Sequence, residues 1–391
     1  MNHSSFLQWF FTKSEEKNLV VLSIFFAAFM GVTQTFINVV PLAIFLMTYE
    51  SALLTDAYIS LGILTFLIGS FFSYLQKRVS FFQFLIAPFF IFSVSLFICW
   101  ILLINTHYEF FPMVLFVWSS VVYTFLSLVY SSLLLHIFTL QEGKKFFGII
   151  SGMRAFGGIA AGILTPILVH QFNAKNIFLL APLSMLIGMK ILFSIKQKHP
   201  DRFSEIKRME ESKKEHMTFR KLKYKNYIIC LFVLAIVSVF NFYSLDLLFN
   251  TEVKRYFENE SKITSFLGGF MALSNMMTLI GGFFLFRPLL NKFGLITTLF
   301  ITPVTIGICA SFLFILDFTS SSITALFVIL SVTVLLERML RQSIHTDSIN
   351  LLYSPLKPAE KEWALFQYRI KIQSIFTSIT GGILLLFNHL F

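Results

Sequence analysis

The sequence predicts an all-α polytopic membrane protein with about eleven transmembrane helices arranged as two helical bundles. Two observations carry that expectation. Apolar runs of roughly 20 residues, the length that crosses about 30 Å of hydrocarbon, recur from Asn18 almost to Phe391. Lys and Arg collect in every second gap between those runs. Composition agrees: 56% of the 391 residues are hydrophobic and only 13% charged, with 51 Phe and a mean hydropathy of +0.78, which no ordinary water-soluble fold of this length shows.

Taken in order, the runs predict spans at Leu19–Phe45, Asp56–Leu75, Phe84–Ile104, Pro112–Phe138, Phe147–Val169 and Ile177–Ile195. After a polar gap come Tyr227–Phe249, Ser265–Phe286, Leu295–Leu316, Ser320–Leu340 and Ala364–Leu386. The first run is too long for the apolar region of a cleavable signal peptide and has no small-residue cleavage site near its end, so it inserts as a span. The gap Lys196–Asn226 holds eleven basic and five acidic residues. It divides the chain into a six-helix bundle over 1–195, a basic linker over 196–226 and a second bundle over 227–391.

The net charge of +11 is an orientation signal rather than a nucleic-acid footprint, because it lies in short loops beside apolar spans. One set of gaps carries 21 Lys and Arg, among them Lys13, Lys17, Lys77, Arg78, Lys144, Lys145, Arg287, Lys292, Lys357 and Lys361. The other set carries four: Lys175, Lys254, Arg255 and Lys262. The positive-inside rule therefore puts the N-terminus in the cytoplasm, in a bacterial inner membrane, and with eleven spans the C-terminus outside. Cys99, Cys230 and Cys309 all fall within spans and act there as small apolar side chains.

A charge within the bilayer costs about 2.5–3.5 kcal/mol on insertion scales, so each one needs a partner, a cavity or an escape to the surface. Arg154 lies eight residues past Phe146, roughly 12 Å into its span, too deep for easy snorkelling. The glycines Gly148, Gly152, Gly157, Gly158 and Gly162 around it invite a close helix neighbour. Arg154 thus contacts either a substrate or a structural partner. At the end of the tenth span, Glu337 and Arg341 form an i,i+4 pair, and Arg338, Arg341 and His345 share a helix face. Two arginines there suit a carboxylate or phosphate, or else snorkel to the cytoplasmic edge. Asp246, near the predicted outer end of its span, is a gate or proton site, a solvated terminus or a structural pair. Arg369 and Lys371 lie within two turns of the cytoplasmic edge, as does Lys190.

Cations outnumber carboxylates within the spans, which favours a small anionic substrate. No G-x-x-x-x-G-K-[ST] loop, H-E-x-x-H pair, Cys pair or Ser nucleophile elbow occurs, so no cofactor, metal or nucleotide-hydrolysing device is implied, and the expected protein is not an enzyme. A gradient or an exchange would drive any transport.

The two halves are weakly alike. The second span of each ends in a tight basic turn, Gln76–Arg78 and Arg287–Gly294, and the fifth span of each carries a Gly pair, Gly157–Gly158 and Gly381–Gly382. The layout resembles the major facilitator superfamily, whose six-plus-six plan leaves Phe391 where a twelfth helix would begin. Within that class, the stretch Arg341, Gln342, Ser343, then Asn350–Pro358, then Gly381 and Gly382, resembles the ATP/ADP translocase type of nucleotide transporter and its bacterial relatives. Asp246 followed by Thr264–Ala272, together with Phe147–Gly162, adds to the likeness. Those exchangers carry charges in and after the first span, whereas the polar or breaking residues here are Thr33, Gln34, Asn38 and Pro41. The resemblance implies an antiporter or other carrier of an anionic metabolite such as a nucleotide. Its anion contacts would be Arg154, Arg338 and Arg341, with Glu337, Asp246 and Arg369 around them. Two further readings stay open: a non-transporting membrane scaffold, and a lipid or lysolipid transporter. An enzyme using His345 and Asp347 is the third, least supported by the residues.

Overall fold

The computed structural model describes residues 14–76, 79–105, 108–138, 140–203, 224–318, 323–345, 348, 352, 364 and 367–390. Among these, eleven long α-helices follow one another. They are α1 (Ser14–Thr48), α2 (Leu54–Gln76), α3 (Phe81–Asn105), α4 (Phe111–Ile137), α5 (Leu140–Ile177), α6 (Leu180–Lys198), α7 (Lys225–Tyr256), α8 (Glu260–Ile280), α9 (Arg287–Phe318), α10 (Ile323–Leu340) and α11 (Gln373–Leu390). Each agrees in position with a predicted apolar run. Eight of them meet the length and apolarity of a membrane span on their own, and a ninth does if the bent pair within α9 counts as one.

The shortfall from eleven spans has local causes. α9 breaks at Gly294 (φ 77°), where Pro288–Leu295 meets Thr297–Cys309 at 96°. Only a residue without a Cβ adopts that backbone cheaply. The eleventh run opens as a π turn, Gln367–Ile372, before α11 begins. Two further π turns, Gly281–Phe286 and Arg341–His345, continue α8 and α10. By alternation of direction all three lie on the side of the basic gap Lys196–Asn226.

α8 starts cleanly because the Asn259 side chain accepts the Lys262 amide at 2.8 Å, satisfying one of the orphan donors of a first turn. The outer surface is apolar, with Phe25, Leu67, Phe71, Phe90 and Phe300 more than half exposed, as lipid contact requires.

Within the first half, α1 packs against α5, α6 and α4. Its crossing with α5 is set by two glycines: a Cβ at Gly31 would fall on the Arg154 carbonyl, and one at Gly157 on the Ala28 carbonyl. The halves meet along two symmetric seams, α5 against α8 and α2 against α11. In the first seam Gly162 lies against the Gly268 backbone and Gly158 against Asn275. Gly152 is only in van der Waals range of Leu279, and Gly148 meets nothing. That seam therefore widens toward the basic side. In the second, Gly62 and Gly381 lie against the α11 and α2 backbones, and the Ser378 hydroxyl donates to the Ile59 carbonyl at 2.9 Å.

On the opposite side the halves are tied by Lys254, whose ammonium donates to the Tyr49 carbonyl at the end of α1, while the Tyr49 hydroxyl donates to the Glu109 carbonyl. On the basic side a two-bond pair joins Arg202 to Glu142 at 2.6 and 3.2 Å, fixing the start of α5 to the chain after α6.

Candidate functional site

α7 continues to Tyr256, seven residues past the predicted span end. Asp246 consequently sits about 15 Å of helix inside α7 rather than near its outer terminus. Its carboxylate is 14% exposed and bridges three elements. Oδ2 accepts the Tyr58 hydroxyl of α2 at 2.8 Å and the Asn250 amide at 3.0 Å. Oδ1 faces Arg338 Nη2 of α10 at 3.5 Å. The Tyr58–Asp246 bond joins the first half to the second.

Arg338 reaches that depth because side chains of a helix lean toward its N-terminus, and α10 runs from the far side toward the basic side. The guanidinium also donates to the Met271 sulfur at 3.0 Å and lies over the Phe270 ring at 5.3 Å. Thus Arg338 does not escape to the cytoplasmic edge.

One turn on, Arg341 Nε donates to Glu337 Oε1 at 2.6 Å, with the Glu337 side chain only 3% exposed and Arg341 stacked over Phe242 at 4.3 Å. The i,i+4 spacing and the buried carboxylate make this the tightest ion pair of the membrane interior among the described residues. Phe242 of α7 thus underlies the second pair, while the next residue, Tyr243, packs on Tyr58 with ring centres 4.7 Å apart.

Arg154 has a different setting. Its guanidinium lies over the Tyr130 ring of α4 at 4.9 Å, and no carboxylate pairs with it among the described residues. No hydrogen bond or ion pair described here connects it to the Asp246–Arg338 or Glu337–Arg341 pair. Of Arg154, Arg338 and Arg341, Arg154 is the one with no carboxylate partner among the described residues.

A small cavity of about 20 Å³, room for one water, lies between the halves, lined by Leu61, Gly62 and Thr65 of α2, Thr124 of α4, Tyr243 of α7, and Gln373, Ser374 and Thr377 of α11. Both halves supply hydroxyls to it. Nearby in α1, Gln34 donates to the Ser127 hydroxyl of α4 at 2.9 Å.

Of the predicted site residues, Asp246, Glu337, Arg338 and Arg341 come together and Arg154 stands apart in the first half. The side chain of Arg369 and the whole of Asp347 lie outside the described residues. Tyr58, Asn250, Met271, Phe242 and Tyr130 were not singled out from sequence. Tyr58 is 188 positions from Asp246, so no local pattern pairs them. His345 is buried, and neither ring nitrogen has a hydrogen-bond partner among the described residues.

The arrangement is two buried ion pairs in the second bundle, one of them bonded across the seam to Tyr58. Similar folds are known. A structure of the nucleoside transporter NupG in mutant form aligns with a TM-score of 0.63 and 14% identity, covering 95% of this chain and 90% of that one. The xylose transporter XylE of E. coli in an inward-open conformation gives 0.65 at 10% identity, over 95% and 90%. A bacterial homologue of the iron transporter ferroportin in an inward-facing state gives 0.64 at 16% identity, over 95% and 91%. Identities this low speak for the fold alone. No curated protein sequence matches the chain. The sequence model of the Major Facilitator Superfamily matches residues 24–350, most of the length, and the chain belongs to that superfamily.

Proposed function

We propose that this protein is a secondary active transporter that carries a small anionic metabolite between its two bundles by alternating access. The bundles, 1–195 and 227–391, rock about the α5–α8 and α2–α11 seams, with 196–226 as the cytoplasmic linker. The single observation that carries the anion is Arg154: a guanidinium deep in the membrane, stacked on Tyr130 and lacking a carboxylate, is a standing site for negative charge.

A nucleotide is the favoured cargo within that class. The likeness of Arg341–Gly382 to ATP/ADP translocases supports it. The asymmetry of 21 basic residues against four supports a cytoplasmic N-terminus in a bacterial inner membrane.

The test is a thermal-shift panel on the purified full chain with ADP, inorganic phosphate, dicarboxylates and lysolipids, followed by uptake of the stabilising compound into proteoliposomes. A true ligand at 100 times its Kd raises stability by about 2.7 kcal/mol. Losing a charge-assisted contact of about 1.5–3 kcal/mol weakens binding roughly 10- to 150-fold, so Arg154→Ala abolishes the shift and the uptake. Arg154→Ala that binds and transports the anion as the parent does would sink this reading. Stabilisation by lysolipids alone would transfer it to a lipid carrier.

A further inference from the structure

We propose that the α2–α11 seam binds an ordered water at mid-membrane depth, held by Thr65 of the first half and Ser374 of the second, so that the halves are joined there through the water and not by a direct bond. Such a site is independent of what the protein carries.

The register of the seam sets the place. Gly381 lies against the Thr55 carbonyl, Ser378 bonds the Ile59 carbonyl, and Gly62 lies against the Ser374 carbonyl. Rising numbers in α2 meet falling numbers in α11, so the helices run antiparallel and Thr65, one turn past Gly62, comes opposite Ser374. Thr65 stands at the centre of α2, which spans Leu54–Gln76. Both side chains line the cavity of about 20 Å³, and a water needs about 10–15 Å³ of such space.

Thr65 is 6% exposed and Ser374 3%, and neither hydroxyl has a hydrogen-bond partner among the described residues. A Ser or Thr within a helix ordinarily satisfies itself by donating to the carbonyl one turn back. Two neighbours in the same cavity wall do so, Thr124 to Ser120 at 3.0 Å and Thr377 to Gln373 at 2.9 Å. Thr65 and Ser374 do not. Each therefore brings an unspent proton to the cavity, at a depth where the surrounding hydrocarbon supplies no partner. The α5–α8 seam has no such need at its closest point, because Thr165, packed on Gly268, donates to the Ala161 carbonyl at 2.8 Å.

Donor and acceptor accounting selects the ligand. Thr65 and Ser374 need an acceptor, whereas Thr124 and Thr377, their protons already placed, offer lone pairs that need a donor. One water has two lone pairs and two protons and serves both sets. A metal cation would take the lone pairs and leave the protons of Thr65 and Ser374 unplaced. Every residue lining the cavity is neutral, so the charge of a cation would also stand uncompensated within the membrane.

The experiment is a structure of the full chain in nanodiscs at a resolution that shows ordered water, together with unfolding of Thr65→Val, Ser374→Ala and the double variant in mixed micelles. A density peak within hydrogen-bond distance of both hydroxyls is expected in the parent, and its loss in the double variant. Each single variant takes a partner from the water and lowers the folded-to-unfolded ratio about 2- to 12-fold. The double variant loses less than the product of the two, because the same water is removed only once. Hydroxyls that were truly orphaned would give the opposite sign, since removing a buried unsatisfied group stabilises. A parent without the peak, hydroxyls bonded directly to each other, or a Thr65→Val protein more stable than the parent overturns the proposal. Stabilisation of the parent by sodium chloride but not by choline chloride overturns it in favour of a cation. All of these outcomes leave the carrier reading to its own test at Arg154.

Discussion

Replacing Glu337 by Gln measures what the buried pair with Arg341 contributes. An exposed i,i+4 pair is worth about 0.3–0.5 kcal/mol, and breaking a fully buried one costs about 3–5 kcal/mol. The Glu337 side chain is 3% exposed and its oxygen 2.6 Å from Arg341 Nε, which places the pair near the upper range. Arg341 is 26% exposed and keeps its stack on Phe242 at 4.3 Å, which lowers the cost of stranding it. The expected loss is therefore about 2–3 kcal/mol. Unfolding in mixed micelles gives the value for Glu337→Gln, Arg341→Gln and the double variant. The double variant regains part of the loss, because neither charge is then stranded, and the cycle yields a coupling of at least about 1.5 kcal/mol. A Glu337→Gln protein within about 0.5 kcal/mol of the parent, or a coupling near zero, would show that solvent reaches this pair freely and that its burial has been misjudged.

Gly157→Val forces α1 and α5 apart at Ala28 and costs about 1–3 kcal/mol, read as lost folded yield or lowered thermal stability, whereas Gly148→Val, which meets nothing, costs far less. A cysteine at Gly148 reacts with a membrane-impermeant thiol reagent applied from the basic side, and one at Gly162, packed on the Gly268 backbone, is protected; equal labelling would contradict the widening seam. Lys254→Ala removes the ammonium that donates to the Tyr49 carbonyl and loosens the halves at that end by about 1 kcal/mol, roughly fivefold, measured as faster labelling of a Thr55→Cys protein from the side opposite the basic loops.

Much of the helix order was legible because the bilayer imposes a length and a polarity that composition reports directly. The ends were not. Predicted spans stop where charge begins, so Tyr227–Phe249 omitted Asn250–Tyr256, and with them the Asn250 amide that bonds Asp246. Helices continue beyond the hydrocarbon until a cap or break stops them, and Phe257 leaves the helical region only there. Arg154, Arg338 and Arg341 were legible as costly charges, yet their partners were not. Tyr58, Met271 and Phe270 lie far away in sequence and bear no charge, so only the fold reveals them. The π turns left no signal in the sequence; Gly281 is marked only in the fold, where it abuts the Ser343 side chain of the neighbouring π turn.

Those turns have a mechanical consequence. A π turn stores one residue more than the α turn it replaces, so releasing it swings everything beyond by about 100° and advances the strand of helix by about 1.5 Å. Gly281–Phe286 and Arg341–His345 touch, and the second begins at the arginine that faces Glu337. Because the two turns are in contact, a rewinding of either would press on the other and re-aim the guanidinium at which the second begins.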